Sequence, residues 1–141
     1  MIALKIDTRQ LDKRLATIVQ KQPKKVKKAL GRTALLGVNI LLERLEEGQG
    51  LNGAFKPYSD SYAWTRQNTP PVAQVDFVDL NRTGKMTSDL TVTRWTTKKA
   101  VISATSALSK KKIAHTDKQR RWFGFKPDEE KRLVRFFGKQ L

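Results

Sequence analysis

The sequence predicts an α+β fold with two N-terminal helices, a central antiparallel β-sheet or hairpin region with short helices, and a C-terminal helix. Three observations lead to this class. Apolar residues recur at helical spacing in the first third of the chain, alternate through DLTVTRWTTKKAVISAT, and return to helical spacing after Pro127. The 141 residues suffice for one domain with its own core. We therefore expect a single domain over 1–141, helical over 1–47 and mixed over 48–141.

The first helix is expected over residues 7–22. Asp7 or Thr8 can begin it, because a short side-chain oxygen accepts a hydrogen bond from an orphan N–H of the first turn. Pro23 ends it. Its apolar stripe, at spacings of four and three, consists of Leu11, Leu15 and Ile18.

A second helix is expected from about Lys24 to Glu46, with Pro23 at its first position. Its front half is amphipathic and its back half is apolar nearly all round. One face carries Val26, Leu30, Thr33, Ile40 and Leu41, and a second face carries Leu35, Val38 and Leu42. The back half therefore packs between two layers of the fold or between two subunits. The glycines that follow, Gly48, Gly50 and Gly53, predict a mobile loop.

The stretch VDLNRTGKMTSDLTV, residues 78–92, poses a choice between a phosphate loop and a structural joint. A P-loop needs Ser or Thr after its Gly-Lys pair, and here Met86 follows Lys85. Its first glycine would stand at the position of Asp79. We therefore interpret the stretch as a joint, in which Thr83 can cap a helix, Gly84 permits a turn that a Cβ would hinder, and Met86 and Leu90 share one face.

The remaining elements follow from local patterns. Ser59 caps a short helix that brings Tyr62 near Arg66, and the prolines of 68–74 predict a loop. Two alternating runs, 89–97 and 98–105, predict a hairpin. Residues 106–125 read as a short helix followed by an extended segment. Residues 126–140 form a final helix with acids in its first turn, bases toward its end, and a buried edge of Leu133, Phe136 and Phe137.

The charge of the chain is its strongest functional signal. With 29 Lys+Arg against 13 Asp+Glu, the net charge is +16, which attracts nucleic acid, anionic surfaces or an acidic protein partner. Residues 21–32 hold six basic residues and no acid, and residues 110–121 hold six with Asp117 as the only acid. The candidates for facing DNA or an acidic partner are Lys24, Lys25, Lys27, Lys28, Lys110, Lys111, Lys112, Arg120 and Arg121.

Three aromatic side chains follow the second basic run, namely Trp122, Phe123 and Phe125. They could stack on bases or form part of the core, and the core is the simpler interpretation. The candidates for an oligomer or partner interface are Leu35, Val38, Leu42, Trp122, Phe123 and Phe125.

Catalytic and metal chemistry find little support. The chain has no cysteine, which removes disulfides and thiolates. Nothing orders a triad around its one histidine, His115. Asp76 and Asp79, three residues apart, could share a face as metal ligands, but such a pair in a loop is more typical of solvated carboxylates. We expect no catalytic residue, no metal and no cofactor. No signal peptide opens the chain, and the longest largely apolar run, 34–42, is too short for a bilayer, so we expect a soluble protein made in a cytoplasm.

Three stretches together resemble one family. FKPYSDSYA is similar to an F-x-P-x-S-x-x-Y element, and DLNRTGKMTSDLTV is similar to an L-x-x-T-G-x-[ML]-x-x-[SD]-L element. RRWFGFKPDEEKRLVRFF resembles an R-x-F-x-G-[FL] turn that leads into a final helix with acids in its first turn. In this order they resemble the virion-morphogenesis or tail-completion proteins of tailed bacteriophages, including Mu-like neck proteins and minor tail protein Z-like proteins. The resemblance covers about residues 50–140.

The resemblance implies a structural virion protein that completes the tail or forms a ring at the head–tail junction. Such a ring joins copies head to tail, in about six copies by preference, as in the tail, or about twelve, as in the portal. Its partners would be other copies of itself, a portal-side or connector protein, a tail tube or terminator protein, and packaged DNA, without a membrane. A small basic cytoplasmic DNA- or RNA-binding protein is the alternative, and an enzyme is a weaker one.

Overall fold

The computed structural model describes residues 4–7 and 13–141 of the chain, and it has the α+β fold that the sequence predicts. Helices surround one three-stranded antiparallel sheet, and a two-stranded ribbon lies apart from it. The elements of the described part are β1 (Leu4–Asp7), α1 (Lys13–Lys21), α2 (Pro23–Glu46), β2 (Gln49–Gly50), β3 (Gly53–Ala54), α3 (Asp60–Asn68), α4 (Lys85–Asp89), β4 (Leu90–Trp95), β5 (Lys99–Ala104), α5 (Ala107–Gln119) and α6 (Pro127–Lys139).

The front of the chain differs from the prediction of two helices alone. Residues 4–7 form a strand, and Asp7, expected as a helix cap, pairs with Lys99 in β5. This partner lies far along the chain, so the local pattern gave no sign of it. Thr8, Leu11 and the side chain of Leu15 lie outside the described residues.

Helix α2 begins at Pro23 as predicted, and its predicted face is buried. It packs on β4 and β5 and also contacts α6, so its apolar back half lies between two layers of one chain. Gly37 makes this possible, because a Cβ there would lie 2.8 Å from Phe125 Cζ and 3.0 Å from Ile102 Cδ1. A methyl group at Gly37 would therefore force the Phe125 ring and the end of the Ile102 side chain to move.

The hairpin of β4 and β5 is confirmed, and β5 is the central strand of the order β1-β5-β4. A bulge between Val92 and Arg94 shifts the register near the end of β4. Alternate residues of β5 face α2 in the main core, which consists of Val26, Ala29, Leu30, Ala34, Val38, Leu41, Leu45, Met86, Leu90, Ala100, Ile102, Ala104, Ile113, Trp122, Phe123 and Phe137.

Buried Arg44 attaches the 120–126 segment to α2 and α6. Its Nε lies 3.1 Å from Glu129 Oε1, and its Nη2 donates to the carbonyl of Trp122 at 3.1 Å and to that of Gly124. The same guanidinium thus acts as the hydrogen-bond donor to backbone oxygens of a segment that belongs to no helix or strand.

Two predictions about local structure need correction. The glycine-rich stretch after α2 is the short ribbon β2–β3, and the Leu51 N–H donates to the Arg121 carbonyl at 2.9 Å, which anchors it to the chain after α5. In α6, Leu133 and Phe137 are buried as predicted, but Phe136 is 37% exposed because it lies outside the stripe that meets α2. In the described part of the chain, no helix has the length and apolar character needed to cross a bilayer.

Candidate polyanion-binding trough

A buried arginine builds one wall of the candidate site. Arg66 is 1% exposed, donates to the carbonyls of Gln74 at 3.1 Å and Asn81 at 2.9 Å, and pairs with Asp79 Oδ1 at 3.2 Å. Its guanidinium lies 4.6 Å from the centre of the Tyr58 ring. One side chain therefore holds the 69–82 loop against α3.

Tyr58 and Tyr62 line this wall beside the arginine. Their rings meet edge to face at 5.2 Å, and Tyr62 also lies 5.9 Å from the Arg66 guanidinium, as the sequence predicted. Burial raises the pKa of Tyr58, with the positive charge of Arg66 opposing that rise. The Tyr58 hydroxyl stays protonated and donates to Asp79 Oδ1 at 3.4 Å.

The joint around Gly84 forms the next part of the wall. Gly84 has φ of 77°, a left-handed conformation that glycine adopts without strain, and it is itself the residue before α4. The predicted cap Thr83 stands one position earlier, where its Oγ1 accepts from the Lys85 N–H at 3.3 Å. Met86, on α4, and Leu90, the first residue of β4, are both buried in the core.

A carboxylate network fixes this joint to α5. Asp89 Oδ2 accepts from the hydroxyls of Ser106 at 2.7 Å and Ser109 at 2.6 Å, and Oδ1 lies 3.2 Å from Lys85 Nζ. The hydroxyl donors hold the pKa of Asp89 at about 2, below its ordinary value of 3.8. Lys85 is thus a surface partner of Asp89, 59% exposed.

Three adjoining hollows, of about 630, 470 and 390 Å³, run between these walls and α5 toward the β2–β3 ribbon. The first two share Arg82 and His115, and the last two share Gln119 and Arg120. We call this continuous depression the basic trough. Among the described residues that line it, the charged side chains are Lys56, Arg66, Arg82, Lys111, Lys112, Arg120 and Arg121, and none is a carboxylate.

The chemistry of the trough suits an extended anion. Two of these cations contact a carboxylate that lies outside the lining: Arg66 pairs with Asp79 at 3.2 Å, and Arg121 lies 3.9 Å from Asp117. Arg120 lies 5.7 Å from the Tyr58 ring, and its buried Nε has no hydrogen-bond partner among the described residues. An anionic oxygen that reached this donor would remove the cost of leaving it unpaired.

The two basic runs lie on different parts of the surface, the second largely in the trough and the first on α2. From the second run, Lys111, Lys112, Arg120 and Arg121 line the trough, whereas Lys110 is outside its lining. From the first run, Lys24, Lys25, Lys27 and Lys28 are all exposed on α2, where Lys25 Nζ donates to the Leu141 carbonyl at 3.0 Å and Lys28 lines a separate groove. Sequence reasoning missed Lys56, Tyr62 and Arg82 as lining residues, because only folding brings these isolated residues to α5.

The predicted interface residues need a correction as well. Val38, Trp122 and Phe123 are buried in the core, and Leu42 and Phe125 are partly buried against it, so none of these five is fully exposed. Leu35 is the exception, since it is 53% exposed. The core position of the aromatics also removes them as stacking platforms for bases.

Of the residues considered for catalysis or metal binding, Asp76 and Asp79 lie outside the lining of the trough, whereas His115 lies within it. Asp79 is held by Arg66, by Gln74 Nε2 at 2.9 Å and by the Asn81 N–H at 3.0 Å. Among the described residues, no three His, Asp or Glu side chains come together in a way that could hold a metal ion. His115 is exposed on α5 and lines the trough beside Lys111 and Lys112.

Comparison with known proteins adds no further constraint: no family model, curated protein or solved structure matches this chain. Within the third stretch of the resemblance, Gly124 follows Phe123 directly, one position earlier than the glycine of the R-x-F-x-G-[FL] turn. The assignment of a function therefore rests on the sequence resemblance and on the geometry of the described residues.

Proposed function

We propose that this chain is a structural virion protein of a tailed phage, which forms a ring at the head–tail junction or completes the tail so that head and tail join. The single observation that supports it best is the basic trough, a long cationic surface without a carboxylate in its lining. Such a lining attracts a phosphate backbone and reads no base sequence. That behaviour suits a protein beside the exit path of packaged DNA.

The contacts of the trough residues and of Asp89 agree with a structural or binding role. The residues of the trough are bonded to structural partners or are simple cations, and the most perturbed carboxyl, Asp89, is occupied by two serine hydroxyls and Lys85. The network of Asp89 thus holds α4 against the start of α5. We therefore propose a structural role and not an enzymatic one.

The experiment has two arms. A density map of the intact particle should contain this chain as a ring, of about six or about twelve copies, around the channel. In solution, DNA affinity should fall steeply with salt, and the double change of Lys111 and Lys112 to Ala should reduce the slope of log affinity against log salt by about 1 to 2. The matched control changes Lys131 and Arg132 to Ala. Both are exposed cations on α6 outside the trough, so this change should alter the slope less.

The alternative is a small cytoplasmic DNA- or RNA-binding protein. The exposed ring of Tyr62 favours it, because an aromatic ring in the lining of a cationic trough can stack on a base. The first arm separates the two functions. Absence of the chain from purified particles, together with salt-sensitive binding that weakens on Tyr62→Ala, would favour the alternative. Absence from particles without DNA binding would overturn both.

A further inference from the structure

An apolar groove lies on a different part of the surface from the trough, between α2 and β4. It has a volume of about 350 Å³ and is lined by Lys28, Gly31, Arg32, Leu35, Thr91, Val92 and Trp95. Leu35 is 53% exposed and Trp95 is 45% exposed. Single exposed apolar residues are ordinary on protein surfaces, but here two large ones line the same groove.

The groove is held open by the local structure. Gly31 lacks a side chain, and a Cβ there would lie 3.4 Å from both Cδ1 and Nε1 of the Trp95 ring. The indole therefore lies directly against the backbone of α2. Val92 packs against the main core beneath the groove, while Leu35 and Trp95 stay accessible at its surface. A preformed apolar groove with an aromatic wall is typical of a docking site for another protein.

The charges around the groove select the occupant. Lys28 and Arg32 line it, no carboxylate does so among its described lining residues, and it adjoins the acid-free run 21–32. A second copy of a chain with net charge +16 would be repelled from this surface. A segment that combines apolar side chains with Asp or Glu would bury the former on Trp95 and pair the latter with Lys28 and Arg32.

We propose that this groove, defined by Leu35 and Trp95 with Lys28 and Arg32 at its edge, docks an acidic, apolar segment of another protein. The inference goes beyond the proposed function, because it needs no DNA and names the chemistry of a protein neighbour. Electrostatic complementarity sets the rate and selectivity of such docking, and burial of the tryptophan supplies most of the affinity.

The test uses the full chain in a Trp64→Phe background, where Trp95 is the exposed tryptophan reporter because Trp122 is buried. The probes are two short peptides of Leu and Glu, one with helical and one with alternating spacing, a scrambled peptide of the same composition, and versions with Lys in place of Glu. We expect a saturable shift of Trp95 fluorescence with one of the two ordered acidic peptides. Peptides with Lys should not bind.

The variants locate the binding. Arg32→Glu should weaken the affinity at least about tenfold, and Arg132→Glu, which changes the net charge equally on the exposed face of α6, should weaken it far less. Trp95→Ser, followed by isothermal calorimetry, should also weaken it at least about tenfold. Trp64→Ser is its matched control, since Trp64 is 63% exposed and lies outside the groove lining.

Three outcomes would overturn the proposal. They are the absence of binding up to about 1 mM, equal binding of the scrambled acidic peptide, and a dimer of the unliganded chain that Trp95→Ser abolishes. The double change of Lys111 and Lys112 to Ala should leave peptide binding intact, and Trp95→Ser should leave DNA binding intact. Failure of the docking proposal can thus be told apart from failure of the proposed function.

Discussion

Replacing Arg66 by Met tests whether one buried guanidinium builds the wall of the basic trough. Methionine keeps an apolar stem of similar length but removes the hydrogen bonds to the carbonyls of Gln74 and Asn81 and the ion pair with Asp79. At about 1 kcal/mol net for each polar contact, the three contribute about 3 kcal/mol. The ring contact with Tyr58 adds about 0.5–1 kcal/mol.

The total loss expected for Arg66→Met is therefore about 3–5 kcal/mol, because Asp79 also stays partly buried without its counter-ion. Urea unfolding followed by circular dichroism measures it, and hydrogen exchange should rise across the 69–82 loop before the core opens. Arg66→Lys keeps the charge without the planar donor fork and should fall in between.

The matched control is Arg132→Met, which removes an exposed arginine from α6 and should change stability by less than about 0.5 kcal/mol. A loss below about 1 kcal/mol for Arg66→Met, or unchanged exchange in the 69–82 loop, would refute this account of the wall. DNA affinity of the Arg66→Met protein should also fall, since Arg82 in the same loop loses its position.

Two further predictions concern the joint between the loop and the sheet. Gly84→Val should destabilise the fold by at least about 1–2 kcal/mol, because its φ of 77° is strained for a β-branched residue, whereas Lys85→Ala should cost less than about 1 kcal/mol in the same urea assay. Loss of function in Lys85→Ala with the fold intact would contradict the structural interpretation. Asp89 has a folded pKa of about 2 against 3.8, so its stabilisation is complete above pH 4 and is lost as pH falls toward 2. Asp89→Asn should therefore lower the urea midpoint at pH 7. Between pH 4 and 2, the urea midpoint of the variant should fall less steeply than that of the unchanged protein. An equally steep fall would show that another group is responsible.

Local patterns predicted most of the helices, because capping residues, prolines and apolar spacing within a few residues determine where a helix begins and which face is apolar. Pro23 begins α2, and the Ser59 hydroxyl accepts from the Tyr62 N–H at 3.4 Å at the start of α3, as expected from residue types alone. Spacing also predicted that Met86 and Leu90 share one face, and both are buried in the core. Strand β1 was missed because its partner, β5, lies about a hundred residues away along the chain, and no local pattern records such a pairing.

The candidate site was only partly accessible to the same reasoning. The basic run over 110–121, on α5 and directly after it, was evident, and four of its members line the trough. The sequence favoured a core position over base stacking for Trp122 and Phe123, and both are buried in the core. Arg66 was linked to Tyr62 by helical spacing, but its contacts with Gln74 and Asn81 depend on how the loop returns over α3.

The sequence by itself determined the α+β class, the helices α2, α3 and α6, the β4–β5 hairpin, and a strongly positive surface, since each of these follows from composition or from short-range periodicity. The tertiary structure alone decided which cations share a surface. Lys111 and Lys112 line the same hollow as Arg82 because Arg66 holds the 69–82 loop in place, and Leu35 and Trp95 line one groove because α2 packs on β4. Contacts between distant segments depend on three-dimensional packing, which no window of neighbouring residues encodes.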